Sequence, residues 1–332
     1  MMSIDWTTMK IKVLMRSSSF KEMLDGRLKK EKGFKSDLVD MNQPLGPQLS
    51  DAEVIVNGTA KINKAIIDMC PNLILVHQAG IGYDNVDLDY CNSKSIKVAN
   101  VPLANAIAVA EHALFLMIFL AKNIQGTSGG LMKRKTTGLM GTELYGKTLL
   151  IVGLGASGTE VAKRAKAFGM KVLAITKDPI IGSSGKPGWE KPYFADEIKS
   201  PESLEEYLRI ADFVSLHLPL NEETQGLIGA REFEMMKRSA YLVNVARAPI
   251  VDRQALFNAL REKRISAAAF DVFWEEPASP DDKLLKLDEF VLTPHIAGWT
   301  KESVDAIAGV IAANISRVVD GKLPLTLVNK AQ

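Results

Sequence analysis

The sequence predicts an α/β chain of two domains, each an open parallel sheet covered by helices on both faces. Short β-branched runs alternate with segments of helical spacing, the pattern of parallel strands joined by crossover helices. The alternation comes in two series, separated by a glycine-rich break over residues 125–146. A length of 332 residues also exceeds what one core of usual size holds.

In the first series, strands are predicted at 11–15, 38–41, 54–56, 73–76 and 96–98. Helical spacing lies between them at 19–29 and 61–69. Residues 101–122 then read as one long helix almost free of charge. The second series has strands at 148–152, 171–175, 213–217, 241–245, 267–272 and 290–292. Thr300 is suited to cap a last helix that runs to about Val319. No short-period repeat is evident, which sets solenoids aside.

Composition narrows the function classes. Hydrophobic residues at 47% and charged residues at 24% are ordinary for a globular chain. A net charge of +2, from 41 basic and 39 acidic side chains, gives no reason to expect nucleic acid or an anionic membrane as partner. Asp5, Lys10, Lys12 and Arg16 interrupt the N-terminus, so it is not read as a signal peptide. The apolar stretch 107–121 contains Glu111 and His112 and falls short of the about 20 residues a membrane span needs. Cys70 and Cys91 are too few for a disulfide framework or a thiolate metal site, which fits a reducing, cytoplasmic setting with no metal.

The strand at 148–152 leads directly into Gly153-Leu154-Gly155-Ala156-Ser157-Gly158, and helical residues follow. At this spacing the first glycine permits a tight turn and the second lets a pyrophosphate approach the backbone. The third lets helix and strand pack closely, with phosphates at the helix N-terminus. Strand before and helix after make the motif a dinucleotide site of the Rossmann type; the glycines alone do not name the nucleotide.

The four histidines differ in setting. His77 in an apolar strand, His112 in the apolar helix and His217 at a strand end read as structural or pocket-wall residues. None has metal-ligand spacing with another or with a cysteine. His295 sits in Thr293-Pro294-His295-Ile296-Ala297-Gly298, just past the carboxyl end of a strand, where ligands bind in open α/β sheets. A histidine there can shuttle a proton near neutral pH.

Five ordered blocks make the chain resemble the D-isomer-specific 2-hydroxyacid dehydrogenase family. They are Ala79-Gly80-Ile81-Gly82-Tyr83-Asp84-Asn85-Val86-Asp87; Val109-Ala110-Glu111-His112; Gly141 through Gly158; Asn244-Val245-Ala246-Arg247 with Val251-Asp252; and Asp271 through Pro277 with Thr293-Pro294-His295. The resemblance covers roughly residues 51–319. It implies a Rossmann-type doubly wound domain, residues 103–298, inserted into a smaller flavodoxin-like substrate domain made of residues 1–102 and 299–332. It also implies hydride transfer between NAD(P)H and C2 of a small D-2-hydroxy or 2-keto acid.

By the same resemblance Arg247, Glu276 and His295 form the catalytic set. A guanidinium fork can contact both the carboxylate and the adjacent oxygen of a 2-hydroxy acid. His295 then removes or returns the hydroxyl proton, and Glu276 favours the imidazolium and fixes the ring. The N–H groups of Ala79, Gly80 and Ile81 are expected to bind the substrate carboxylate, together with Arg247 and His295. Asp271 is expected to accept from the nicotinamide carboxamide, Leu218 and Pro219 to wall the adenosine, and Val245 and Gly298 to complete the cofactor site with the glycine turn.

Two departures stand out. Ala248 replaces the glycine usual after the arginine, which predicts a slightly restricted backbone. The usual ribose-binding acid falls at Thr176, followed by Lys177 and Asp178, which tilts cofactor choice toward NADP over NAD. The chain also stops at Gln332, which predicts no regulatory domain after the last helix. The helix near 104–121, apolar nearly all round, predicts a homodimer with this helix at the interface. Dinucleotide-sensing corepressors and formate or phosphite dehydrogenases share these blocks, and turnover of 2-keto acids separates the readings. Trp299 either lines the pocket or packs the hinge.

Overall fold

Parallel strand pairing dominates the computed structural model, which describes residues 9–15, 17–124, 140–177 and 194–329. The chain divides into two units: Met1–Asn105 with Trp299–Gln332, and Ala106–Gly298.

The first unit carries β1 (Ile11–Leu14), α1 (Ser18–Lys32), β2 (Ser36–Leu38), α2 (Leu45–Leu49), β3 (Val54–Asn57), α3 (Lys64–Asp68), β4 (Leu75–Gln78), α4 (Leu88–Ser93) and β5 (Lys97–Ala99). Its sheet has the order β2-β1-β3-β4-β5, all parallel, which is the flavodoxin-like order. One sheet face packs on Phe20, Leu24 and Leu28 of α1 and on Ile307, Ile311 and Ile315 of the last helix, Lys301–Val319. The other face packs on Leu49, Ile62, Ile67 and Cys91. Ser17 caps α1 by accepting from Phe20 N, and Gly33 ends it in the left-handed region at φ 74°. Thr300 caps the last helix by accepting from Ser303 N, as its sequence position suggests.

The second unit carries α5 (Ala106–Ala121), β6 (Thr148–Val152), α6 (Ala156–Ala167), β7 (Lys171–Ile175), β8 (Glu197–Lys199), α7 (Leu204–Ile210), β9 (Phe213–Leu216), α8 (Ala230–Met235), β10 (Tyr241–Asn244), α9 (Arg253–Arg261), β11 (Ala267–Phe270) and β12 (Phe290–Leu292), so that the last helix, in the first unit, is α10. Its sheet runs β12-β11-β10-β9-β6-β7-β8, parallel throughout. The winding direction reverses between β6 and β9, the switch point at which such sheets open a crevice. Strands such as β6, with Leu149, Leu150, Ile151 and Val152 all buried, are covered on both faces and so read as continuous apolar runs.

Four departures from the expected elements stand out. The second strand is 36–38 rather than 38–41, because Ser36 N–H and Oγ–H both donate to Asp25 Oδ1, while Asp40 turns the chain by accepting from Asn42 N. The helix expected over 61–69 starts only at Lys64, since Ile62 bridges to Val86 and Asn63 is the cap. The long helix begins at Ala106, after a turn in which Leu103 takes φ 72°. Edge strand β8, with its Glu-Ile-Lys sequence, has only one apolar residue and no periodicity to betray it.

Candidate active site

The carboxyl edge of the second unit's sheet gathers the glycine turn, Arg247, Asp271, Thr293 and His295, each just beyond a strand end. β6 ends at Val152, and Gly153 takes φ 101°, where a Cβ would lie 2.6 Å from His217 O. At Gly158 a Cβ would meet Gly153 O at 2.2 Å. Both positions therefore require glycine for the fold itself. Gly155, the N-cap of α6, differs: a Cβ there would meet nothing within 4 Å. The space above it, at the positive end of a helix whose first residues are Ala156 and Ser157, suits a pyrophosphate. Leu218 reaches back over the turn, its Cδ2 2.9 Å from the place of a Gly153 Cβ, and half-exposed Pro219 is fixed through its carbonyl by Thr224 Oγ1–H at 2.7 Å. His217 bridges Ser157 Oγ (3.0 Å, Nδ1) and Ser215 Oγ (2.9 Å, Nε2). Burial pushes its imidazole down to about 4, so it is a neutral strut between β9 and α6.

His295 Nδ1 lies 2.8 Å from Glu276 Oε2. The other carboxyl oxygen of Glu276 accepts from Phe273 N at 3.0 Å, which fixes the carboxyl plane. Burial pushes the Glu276 carboxyl up, but the hydrogen bond and charge of His295, the Phe273 N–H and the charge of Arg247 outweigh it and hold the group below its ordinary value. His295 itself takes φ 55°, a left-handed conformation unusual for a side chain other than glycine, and its N–H closes a tight turn onto Thr293 O at 2.9 Å. Arg247 follows β10, half-buried, with Nη1 donating to Ala246 O at 2.8 Å. Its loop is held by Asn244, whose Nδ2 donates to Arg247 O at 2.9 Å and whose Oδ1 accepts from Ala246 N at 3.0 Å. A paired imidazole beside a guanidinium is a constellation able to exchange a proton with an oxyanion that the guanidinium holds.

Residues 114–297 match the family described as D-isomer specific 2-hydroxyacid dehydrogenase, NAD binding domain. A glyoxylate reductase from Korarchaeum cryptofilum is 36% identical over 290 residues, covering 85% of this chain and 84% of that protein. The chain belongs to the D-isomer specific 2-hydroxyacid dehydrogenase family. A D-3-phosphoglycerate dehydrogenase from Methanocaldococcus jannaschii is 38% identical over 85% of this chain, which spans 52% of that relative, about half its length. The crystal structure of a D-lactate dehydrogenase from Aquifex aeolicus, complexed with NAD and lactic acid, superposes with a TM-score of 0.81 at 26% identity, covering 96% of this chain and 99% of that one.

Three residues of this family member stand in settings that the sequence alone did not show. Asp271 is only 1% exposed, and its oxygens already accept from Thr293 Oγ1–H (2.5 Å), Ile296 N (2.9 Å) and Ala297 N (2.7 Å). It holds the loop that carries His295. Ala79 N–H is committed to Asn57 O at 2.8 Å, so of the three N–H groups expected to bind a carboxylate this one already has an acceptor. Ala248 is buried within a short 3-10 turn, Ala248–Ile250, of ordinary backbone, so no glycine is required there.

Thr176 leaves β7 with its N–H on Lys199 O at 3.0 Å, and exposed Lys177 forms an ion pair with Glu223 of the loop after β9. Asp178 lies outside the described residues. Val245 and Gly298 stand at the ends of β10 and of the His295 loop. Trp299 packs its ring 6.0 Å from that of Phe20 in the first unit. Asn244, Thr293 and His112 are site residues that sequence reading passed over. The first two lay inside motifs quoted for other residues, and only the fold brings His112, on α5, to Thr293 at 2.9 Å.

Proposed function

We propose that this protein is a nicotinamide-dependent dehydrogenase that interconverts a small D-2-hydroxy acid and its 2-keto acid. The observation that carries the proposal is the His295–Glu276 pair with Arg247 on the same sheet edge as an open Gly155. A bound nicotinamide supplies or accepts the hydride at C2. Arg247 holds the substrate by its carboxylate and oxygen and stabilises charge that develops on that oxygen. His295 donates a proton to the oxygen in reduction and removes it in oxidation. Glu276 keeps the ring turned with Nδ1 inward, leaving Nε2 to the substrate, and balances the imidazolium. The Gly80 and Ile81 N–H groups are the further donors we assign to a carboxylate.

The names of the relatives, glyoxylate reductases and D-3-phosphoglycerate dehydrogenases, support a short, polar substrate. The glycine turn, with Ala156 and Ser157 at the start of α6, takes the pyrophosphate. Thr176 and Lys177 in place of an acid favour NADPH. No helix among the described residues is long and apolar enough to cross a membrane, and Cys70 and Cys91 are free buried thiols pushed up to about 11 by burial, a state suited to the cytoplasm. On α5, Ile107 and Phe115 are half exposed, a face we assign to a homodimer; a monomer by light scattering at micromolar concentration removes that assignment.

The direct test is a panel of 2-keto acids, glyoxylate, hydroxypyruvate and bulkier analogues, with NADPH and with NADH, followed at the absorbance of the reduced nicotinamide. Turnover of at least one keto acid is expected. Dinucleotide binding with no turnover across the panel overturns the enzymatic reading in favour of a nucleotide sensor.

A further inference from the structure

His112 lies on α5, far in sequence from the catalytic loop, yet its Nε2 is 2.9 Å from Thr293 Oγ1. The single proton of the Thr293 hydroxyl goes to Asp271 Oδ1 at 2.5 Å, so toward His112 the hydroxyl can only accept, and Nε2 must carry the hydrogen. The imidazole, the hydroxyl and the carboxylate thus form one directed chain. Asp271 also accepts from Ile296 N at 2.9 Å and Ala297 N at 2.7 Å, the two N–H groups that follow His295. Those two bonds hold the loop where His295 takes its left-handed φ of 55°. Two carboxylates therefore serve one histidine: Glu276 touches the ring, and Asp271 holds the Thr293 hydroxyl before it and the two N–H groups after it.

A buried carboxylate keeps its charge and its place only while its hydrogen bonds are complete. The His112 donor orients the Thr293 hydroxyl toward Asp271; without it the hydroxyl is free to rotate, and the loop loses one of its fixings. We infer that His112 is a positioning residue for the active site, acting through Thr293 and Asp271 to hold His295 in its working geometry. Burial pushes the His112 imidazole down against the pull of the Asp271 charge, which suits a neutral donor of fixed tautomer. The ring also packs on Phe115, 5.7 Å between centroids, so the helix that carries the exposed apolar face also carries the prop of the catalytic loop.

The inference rests on the proposed role of His295, and its test has an arm that needs no turnover. His112→Gln keeps a donor at the Nε2 position; His112→Ala and Thr293→Val remove the link from either end, the second almost without change of volume. Amide hydrogen exchange of the peptide covering residues 290–298 is measured in the free protein, alongside kcat, KM and the dissociation constant for NADPH. In His112→Ala and Thr293→Val, exchange at Ile296 and Ala297 should quicken about tenfold. In the same variants kcat should fall by about ten- to a hundredfold, as misplacement of a reacting group by an ångström does, with NADPH affinity within about twofold of wild type. His112→Gln should restore both. Unchanged exchange in Thr293→Val and in folded His112→Ala overturns the inference whatever the activity. Faster exchange in a protein that turns over no keto acid upholds the prop and instead overturns the proposed reaction.

Discussion

Glu276 meets His295 only through Nδ1, at 2.8 Å, and this leaves Nε2 as the ring atom available to a substrate. Replacing His295 by Asn should therefore cut kcat by at least about a hundredfold, the lower range for general acid–base catalysis, while dinucleotide affinity survives. Stopped-flow turnover and a fluorescence titration check the two halves. Near-wild-type turnover in folded His295→Asn removes this histidine from the mechanism. Because the Glu276 carboxyl is held below its ordinary value of 4.5, its contribution to stability is complete above that value and is lost as pH falls through the lowered one. Glu276→Gln should accordingly be destabilised at neutral pH, and thermal melting should show that difference vanish in acid.

Two glycines of the turn, Gly155 and Gly158, should respond oppositely. Gly158→Ala drives a methyl to 2.2 Å from the Gly153 carbonyl and should lower the melting temperature by several degrees or prevent folding. Gly155→Ala adds a methyl in open space, at φ −83°, and should melt as wild type. Its affinity for NADP and NAD should nonetheless drop at least about tenfold, since the methyl stands where the pyrophosphate approaches. Calorimetric melting and binding measured together separate the cases; full binding by Gly155→Ala would put the nucleotide elsewhere.

Lys177 carries its own counter-ion. Its pairing with Glu223 means that a 2′-phosphate competes with a carboxylate already in place. Lys177→Ala should raise the Michaelis constant for NADPH several-fold and leave that for NADH nearly unchanged, whereas Glu223→Gln should lower the constant for NADPH. Equal effects on both cofactors in Lys177→Ala would show that another group reads the ribose.

His77 contributes to the acid sensitivity of the first unit. Its Nδ1–H donates to Gln78 O at 3.0 Å, and its Nε2 accepts from Asn314 Nδ2 at 2.9 Å, so a second proton has no acceptor. Burial pushes the imidazole from 6.5 down to about 4. Between those values the unfolded chain binds the extra proton, so stability rises with pH there and is lost on acidification, by about 3 kcal/mol at the limit. The melting temperature should fall between about pH 7 and about pH 5, and His77→Gln should flatten that slope. A slope unchanged in the variant would assign the effect to other groups.

Much of this architecture was legible in the sequence because a doubly covered parallel strand is a run of apolar residues, and β6, β7 and β12 follow such runs to the residue. The glycine turn and His295 could be singled out from motifs at strand ends, and Arg247 and Glu276 only through the family blocks that hold them; the structure puts Glu276 Oε2 2.8 Å from His295 Nδ1. What stayed hidden depends on three dimensions. Edge strand β8 has no apolar face to announce it, and short helices such as α8 and α9 are set by tertiary packing more than by their own spacing. That Asp271 braces the His295 loop could not be read because two of its partners are backbone N–H groups, which nearly every residue has. His112 looked like any histidine in an apolar helix; 181 residues separate it from Thr293.

The pairing of α1 with α10 has a consequence for how the chain is made. Arg27 finds its partner Asp305 across 278 residues, and Lys32 reaches Asp320 in the same way. The second unit is one unbroken stretch, Ala106–Gly298, and can acquire its shape while still tethered to the ribosome. The first unit must wait. Between the emergence of Lys32 and that of Lys301, roughly 270 residues are added, which at ribosomal speeds leaves Phe20, Leu24 and Leu28 without their covering helix for roughly ten to fifty seconds. That interval is the window in which a nascent-chain chaperone would be engaged, and a permuted chain that joins α10 directly ahead of β1 should close it.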